Sequence, residues 1–264
     1  MTATPLAETR QAPGELSVWL AVAEEAAGRA GRWLRQRASS GMRVTAELAR
    51  DVKLSADREA EARILDVLRA RSDVDILSEE CGAVKAKGAL RRLRWVVDPL
   101  DGSLNYLHGI PFCGVSVGLW DGQEPVLGAV YDFTHEEMFT GMVGQGAWLN
   151  GRPIHASDVA RRERAILATG FPVSTTFSRQ ALGSFIEQVR AYKKVRLLGS
   201  AAVSLCYVAA GRVDAYLERD IQLWDVAAGL AIVRGAGGRI AWKASRKPGM
   251  LTVYAGNTRL STPW

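Results

Sequence analysis

Cysteine and histidine are scarce in this 264-residue sequence, three of each. Cys81, Cys113 and Cys206 are widely spaced and odd in number, with no C-x-x-C pair and no histidine cluster beside them. That pattern points to a reducing compartment and away from a zinc site. Long apolar runs are also missing. The first, Leu16 to Ala23, ends at once on Glu24 and Glu25, which argues against a signal peptide, and no other run is long enough to span a membrane. A cytoplasmic protein is expected. Dense basic blocks are lacking too: Arg161, Arg162 and Arg164 are interrupted by Glu163, and Lys243 to Lys247 is short. Both read as solvated surface, so no nucleic-acid site is expected. No repeat or low-complexity linker divides the chain.

What is present is an ordinary globular composition, 48% hydrophobic and 23% charged, in a chain long enough to bury a substantial core. Disorder is expected only over Met1 to Gly14. Thirty-four basic against 28 acidic residues leave a net charge of +6, a mild excess that favours anionic substrates.

Apolar residues at helical spacing, among them Leu16, Trp19, Ala23, Ala27, Ala30 and Leu34, predict an amphipathic helix over Glu15 to Arg37, closed by Ser39 to Gly41. A second helix follows Asp57, with Ala60, Ile64, Leu65 and Leu68 as its stripe. Asp75 to Ser78 reads as a short strand. Gly114 to Trp120, Pro125 to Asp132 and Glu137 to Val143 read as an antiparallel meander, and Asn150-Gly151 as a type I′ hairpin turn. Past about residue 155 strands (Ala165 to Thr169, Val195 to Leu198, Val213 to Leu217, and near Ile240 and Val253) alternate with helices (Arg179 to Tyr192, Ala201 to Ala210, Trp224 to Arg234). The expectation is therefore helices plus an antiparallel sheet over about 1–155 and an α/β layered half over about 156–264. With no linker between them, the halves should form one compact unit with the site between.

The stretch Arg94 to Tyr106 stands out. Trp95, Val96 and Val97 read as a buried strand that delivers Asp98 to its end, where Pro99, lacking an N–H, stops the ladder. Asp101, Gly102 and Ser103 then open a short helix from Leu104 to Leu107. Carboxylates at such a junction, beside unpaired amides, suit a divalent cation between them and a phosphate. A plain turn explains the same residues equally well. Elsewhere, Asp57 starts a helix, where capping alone accounts for it. Glu79 and Glu80 end a strand and read as a solvated acidic loop. Asp225 opens the Trp224 helix, where it could merely cap. Gly199, Ser200 and Ala201 start another helix with amides a ligand could approach, or simply allow close helix packing. Glu218 follows a strand and is placed to face the same cleft.

Taken together, Trp95-Val-Val-Asp-Pro-Leu-Asp-Gly-Ser-Leu-Asn105, Glu79-Glu80, Trp224-Asp-Val-Ala-Ala-Gly229 and Gly235-Ala-Gly-Gly238 resemble the inositol monophosphatase family of Mg²⁺-dependent, lithium-sensitive phosphatases. The resemblance runs from about Asp51 to Gly238. It implies a five-layer αβαβα fold, often a homodimer, with two or three Mg²⁺ ions per active site. Glu79, Asp98 and the Leu100 carbonyl resemble the ligands of a first cation; Asp98, Asp101 and Asp225 those of a second. Ser103 and Asp57 resemble the pair that orients or deprotonates the attacking water, with Glu79 the rival base. The Gly102 and Ser103 amides would hold the phosphate, while Gly199, Ser200, Ala201, Glu218 and Asp225 would line the substrate pocket.

The implied reaction is direct in-line attack of water on the phosphate monoester of a small polyol or sugar, inositol 1-phosphate first. Fructose 1,6-bisphosphate, 3′-phosphoadenosine 5′-phosphate and histidinol phosphate are the alternatives. A regulatory protein contacting RNA or the transcription machinery on the same scaffold is the reading from another class. This sequence departs from the family at Ser103, where Thr is more usual, at Ser78 in place of Gly, and at Lys53 and Leu54 in place of Val-Thr.

Overall fold

The structure, a computed structural model, describes residues 13–38, 44–48, 51–86, 92–171 and 177–262. The expected helix stop at Ser39 to Gly41 and the side chain of Lys53 lie outside the described residues, as does Met1 to Gly14 apart from Pro13 and Gly14, which already open the first helix.

That helix, α1 (Pro13–Arg37), buries the predicted stripe: Leu16, Ala23, Ala27, Ala30 and Leu34 all face inward. A hairpin, β1 (Val44–Leu48) and β2 (Asp51–Leu54), leads into α2 (Ser55–Arg71), which places Arg69 and Arg71 in its last turn, where basic side chains favour the exposed carbonyls. Next come β3 (Asp75–Ser78), β4 (Gly82–Val84), β5 (Leu93–Asp101) and the short α3 (Ser103–Leu107). The meander follows as β6 (Gly114–Asp121), β7 (Glu124–Asp132), β8 (Glu137–Met142), β9 (Gly146–Leu149) and β10 (Arg152–Pro153). Asn150 and Gly151 turn the last hairpin with φ of 48° and 76°, as a type I′ turn requires.

These strands form an eight-stranded sheet in the order β10-β9-β8-β7-β6-β5-β3-β4. The sheet is mixed and not purely antiparallel, because β3 runs parallel to β5. Pro99 does not end the ladder: β5 continues to Asp101, which pairs with Gly114, while Asp98 pairs with Ser116. Three steps along β5 therefore answer two along β6. Pro99 sits within this bulge, where the missing N–H costs no ladder bond.

The second half supplies β11 (Ile166–Thr169), α4 (Arg179–Ala191), β12 (Lys194–Leu197), α5 (Ala201–Ala209), β13 (Ala215–Ile221), α6 (Leu223–Gly235), β14 (Arg239–Ala244) and β15 (Leu251–Gly256). Its five strands order as β12-β11-β13-β15-β14, parallel from β12 to β13 and antiparallel beyond. Because β13 runs on to Ile221, Glu218 lies inside the strand and does not follow it.

Helices α1 and α2 cover one face of the large sheet through a core that includes Trp95, Val97, Val117 and Leu127. A second core, with Val96, Val130, Phe139, Tyr216 and Val253, surrounds α5 and α6 between the two sheets. The outer face of the small sheet buries Leu167, Leu217 and Tyr254 against Tyr192 at the end of α4. The result is an αβαβα layering. One feature fixes the middle layer closely: Gly118, Gly128 and Gly141 are cross-strand neighbours on β6, β7 and β8. A Cβ there would come within 2.9 Å of Ala228 N, 2.4 Å of Ala228 O and 2.6 Å of Ile232 Cα, so α6 lies with its backbone against theirs.

Candidate active site

The carboxylates picked out in the sequence sit at element ends, and four of them commit an oxygen to nearby donors. Asp57 Oδ2 accepts the Leu54 amide at 2.5 Å. Asp98 Oδ1 accepts the Leu100 amide across the bulge at 3.0 Å. Asp225 Oδ2 accepts the Gln222 amide at 3.1 Å, and Asp101 Oδ2 accepts the Ala202 amide and the Ser200 hydroxyl, each at 2.6 Å. The capping explanation of Asp57 and Asp225 therefore holds for one oxygen of each, and in Asp57 the other, Oδ1, lies 3.4 Å from the Ser103 hydroxyl. That hydroxyl also lies 2.9 Å from the Leu100 carbonyl. The amide start of α5 is already engaged by Asp101, which ties β5 to the middle layer.

Asp98 is 1% exposed, and its carboxyl is pushed well above the usual carboxylate range, first by burial and then by the charges of Glu79, Asp101 and Asp225. Asp225 is pushed the same way by burial, then by Asp101 and Glu79. Four carboxylates from β5, the β3 end and α6 thus act on one another, Asp98 buried and the other three half-buried. Among the described residues no three His, Cys, Asp or Glu side chains stand in metal-holding geometry. Among those residues neither Asp98 nor Asp225 makes an ion pair with Lys or Arg.

Gly102 joins this cluster to the second half. It takes φ of 88°, and a Cβ there would meet the Phe112 carbonyl at 3.0 Å and that of Gly199 at 3.2 Å. Only glycine suits both the conformation and the contact. Asn105 fastens the same junction, its Nδ2 donating to the Phe112 and Leu198 carbonyls at 2.8 Å each. Ser200 caps α5 through the Val203 amide at 3.2 Å, and Ala201 begins that helix, nearly buried. Glu218, 9% exposed, accepts the Tyr216 hydroxyl at 2.7 Å and is pushed up to about 7, chiefly by burial. Gly170 lies over it: a Cβ would fall 2.6 Å from Glu218 Oε2.

The model of the inositol monophosphatase family matches residues 15–259. The chain belongs to that family. Its members are phosphoric monoester hydrolases and generally metal-dependent. An inositol-1-monophosphatase of Synechocystis sp. is 37% identical over 234 residues, covering 87% of this chain and 80% of that one. A protein of Pasteurella multocida named Nus factor SuhB is 35% identical over 204 residues, covering 75% of this chain and 74% of that one. The crystal structure of the extragenic suppressor protein SuhB of Bartonella henselae superposes with a TM-score of 0.82 at 34% identity, covering 93% and 95% of the two chains. The layered fold that the resemblance implied is shared with the Bartonella structure and with that of an inositol monophosphatase of Anabaena, which superposes with a TM-score of 0.78 at 35% identity over 92% of both chains.

Three residues that shape the site were not singled out in the sequence. Asn105 had a signal, as the last residue of the longest motif. Tyr216 did not, since an aromatic in a strand reads as core. Glu61 interrupts the buried stripe of α2 at four residues from Asp57, and that buried-face carboxylate was the available hint.

Proposed function

We propose that this protein hydrolyses the phosphate monoester of a small polyol, with inositol 1-phosphate the first substrate to try, using two or three Mg²⁺ ions. The observation that carries the reading is the burial of Asp98 beside the acidic Glu79, Asp101 and Asp225, with no Lys or Arg pairing Asp98 or Asp225 among the described residues, a burden that a hard divalent cation would relieve. The donor set is all oxygen, the chemistry such a cation prefers. Glu79, Asp98 and the Leu100 carbonyl would hold one ion, and Asp98, Asp101 and Asp225 another. When bound, the cations would supply charge neutralisation and a more acidic water.

The chain's own groups do the remainder. Asp57 and Ser103 orient the attacking water and take its proton, with Glu79 the other candidate base. The Gly102 and Ser103 amides steady the phosphate. Ser200, and Ala202 through its amide, hold Asp101 in place, and Gly199 holds the loop against Gly102. Glu218 accepts hydrogen bonds from ring hydroxyls, the reason to favour a polyol.

Asp98→Asn should abolish Mg²⁺-dependent hydrolysis while far-UV circular dichroism stays unchanged; near-normal turnover at saturating Mg²⁺ would refute the assignment. Comparing kcat/KM for inositol 1-phosphate, fructose 1,6-bisphosphate, 3′-phosphoadenosine 5′-phosphate and histidinol phosphate tests the leaving group. A homodimer in the cytoplasm completes the proposal. The free cysteines suit a reducing compartment, and α4 leaves Leu182, Ile186 and Val189 exposed at i, i+4, i+7 spacing, a surface a second copy would cover.

A second role is favoured by one finding, the relatives named Nus factor SuhB, together with the +6 charge. RNA binding that weakens with salt and survives Asp98→Asn would support it, and no retention on RNA at low salt would dismiss it.

A further inference from the structure

Glu61 lies on α2 four residues beyond Asp57 and is 6% exposed although it carries a carboxylate. Among the described residues no Lys or Arg pairs with it. Its Oε1 instead accepts the Ser78 hydroxyl at 2.5 Å and the Cys81 amide at 3.0 Å. Those donors flank Glu79 and Glu80 in the chain, so one buried oxygen closes both ends of the acidic turn. On its other side the turn is tied to β5: Ser78 is in register with Val97, whose carbonyl accepts the Glu79 amide at 3.2 Å. The residue after Val97 is Asp98. Glu79 is thus clasped between the strand that carries Asp98 and the helix that carries Asp57.

We infer that Glu61 and Ser78 form a lock that positions Glu79 toward its cation, Glu61 acting as a positioning residue and not as a ligand. The inference rests on the proposed reading of Glu79 as a ligand. A buried carboxylate is stable only when its oxygens are hydrogen-bonded, and here the bonds it makes are the ones that shape the turn. The hydroxyl half of the lock depends on the Ser78 side chain. The other half, the Cys81 main-chain amide, is present whatever side chain follows Glu80. Outer groups that orient a ligand affect metal affinity strongly when removed.

The test is Mg²⁺ binding to the full chain by titration calorimetry without substrate, alongside hydrogen exchange of the Cys81 amide. Glu61→Ala should bind Mg²⁺ about tenfold more weakly, with faster exchange at Cys81. Glu61→Gln keeps an acceptor oxygen for both donors and should recover most of the affinity, a rescue that loss of general stability would not produce. Ser78→Ala should weaken binding by a smaller factor and leave Cys81 protected; this single-oxygen deletion decides the matter where Glu61→Ala does not fold. Affinity within twofold of wild type in Ser78→Ala and in any folded Glu61→Ala, while Asp98→Asn no longer binds Mg²⁺, overturns the lock and leaves the metal site standing. Undiminished Mg²⁺ binding by Asp98→Asn overturns the metal site itself, and the lock with it.

Discussion

At the level of single residues, the site is built by dividing labour between the two oxygens of each carboxylate. Asp57, Asp98, Asp101 and Asp225 each give one oxygen to nearby donors, which fixes the side chain without a neutralising cation. Ser200 combines two such duties, capping α5 and donating to Asp101. Ser200→Ala should therefore lower stability by about 1 kcal/mol, measured by urea unfolding, and should also weaken Mg²⁺ binding.

Glu218 carries the clearest pH signature. Its folded value of about 7 lies above the ordinary 4.5, so between those values the folded chain retains a proton that the unfolded chain has lost. Stability from this group falls as pH rises through that window and levels off above about 7. Metal-free Glu218→Gln should match wild type near pH 4.5 and exceed it by up to about 3 kcal/mol at pH 8. Equal stability differences at pH 5 and pH 8 would show that the carboxyl is not buried in its neutral form. The sequence marked most of these residues because carboxylates at element ends are visible in a pattern. It could not mark Tyr216, whose role depends on which side chain lies two residues along the same strand face.

At the level of elements, strand register decides what a local pattern leaves open. The missing donor of Pro99 predicts the end of a strand, yet a bulge gives that lack a harmless place and lets β5 carry both Asp98 and Asp101. Bulges depend on the partner strand's register, which no local pattern contains. The same holds for the parallel β3–β5 pair and for the extension of β13 past Glu218, whereas the Asn150-Gly151 hairpin, set by two residues, was legible. The glycine line across β6, β7 and β8 is a clearer case of hidden information, since only the assembled sheet aligns Gly118, Gly128 and Gly141. Gly128→Ala forces a methyl toward the Ala228 carbonyl and should cost about 1–3 kcal/mol, read as a lowered urea midpoint. Because α6 also carries Asp225, the same variant should lose Mg²⁺ affinity.

Over the whole molecule, the middle helical layer belongs to both sheets, as the shared core around α5 and α6 shows. Neither half retains a covered inner face without the other. Urea unfolding should accordingly give one transition, coincident by tryptophan fluorescence and circular dichroism; two separated transitions would mean that the halves are independent units. Mg²⁺ that binds only the folded chain should raise the melting temperature with concentration, and Asp98→Asn should abolish that rise. No helix among the described residues is long and apolar enough to cross a membrane.

The seat of α6 has one more implication. Where main chain touches main chain, no rotamer can swing aside and no smaller neighbour can be recruited to make room. In a library of random variants selected for activity, positions 118, 128 and 141 should therefore admit almost nothing, although none of them offers a functional group to any reaction.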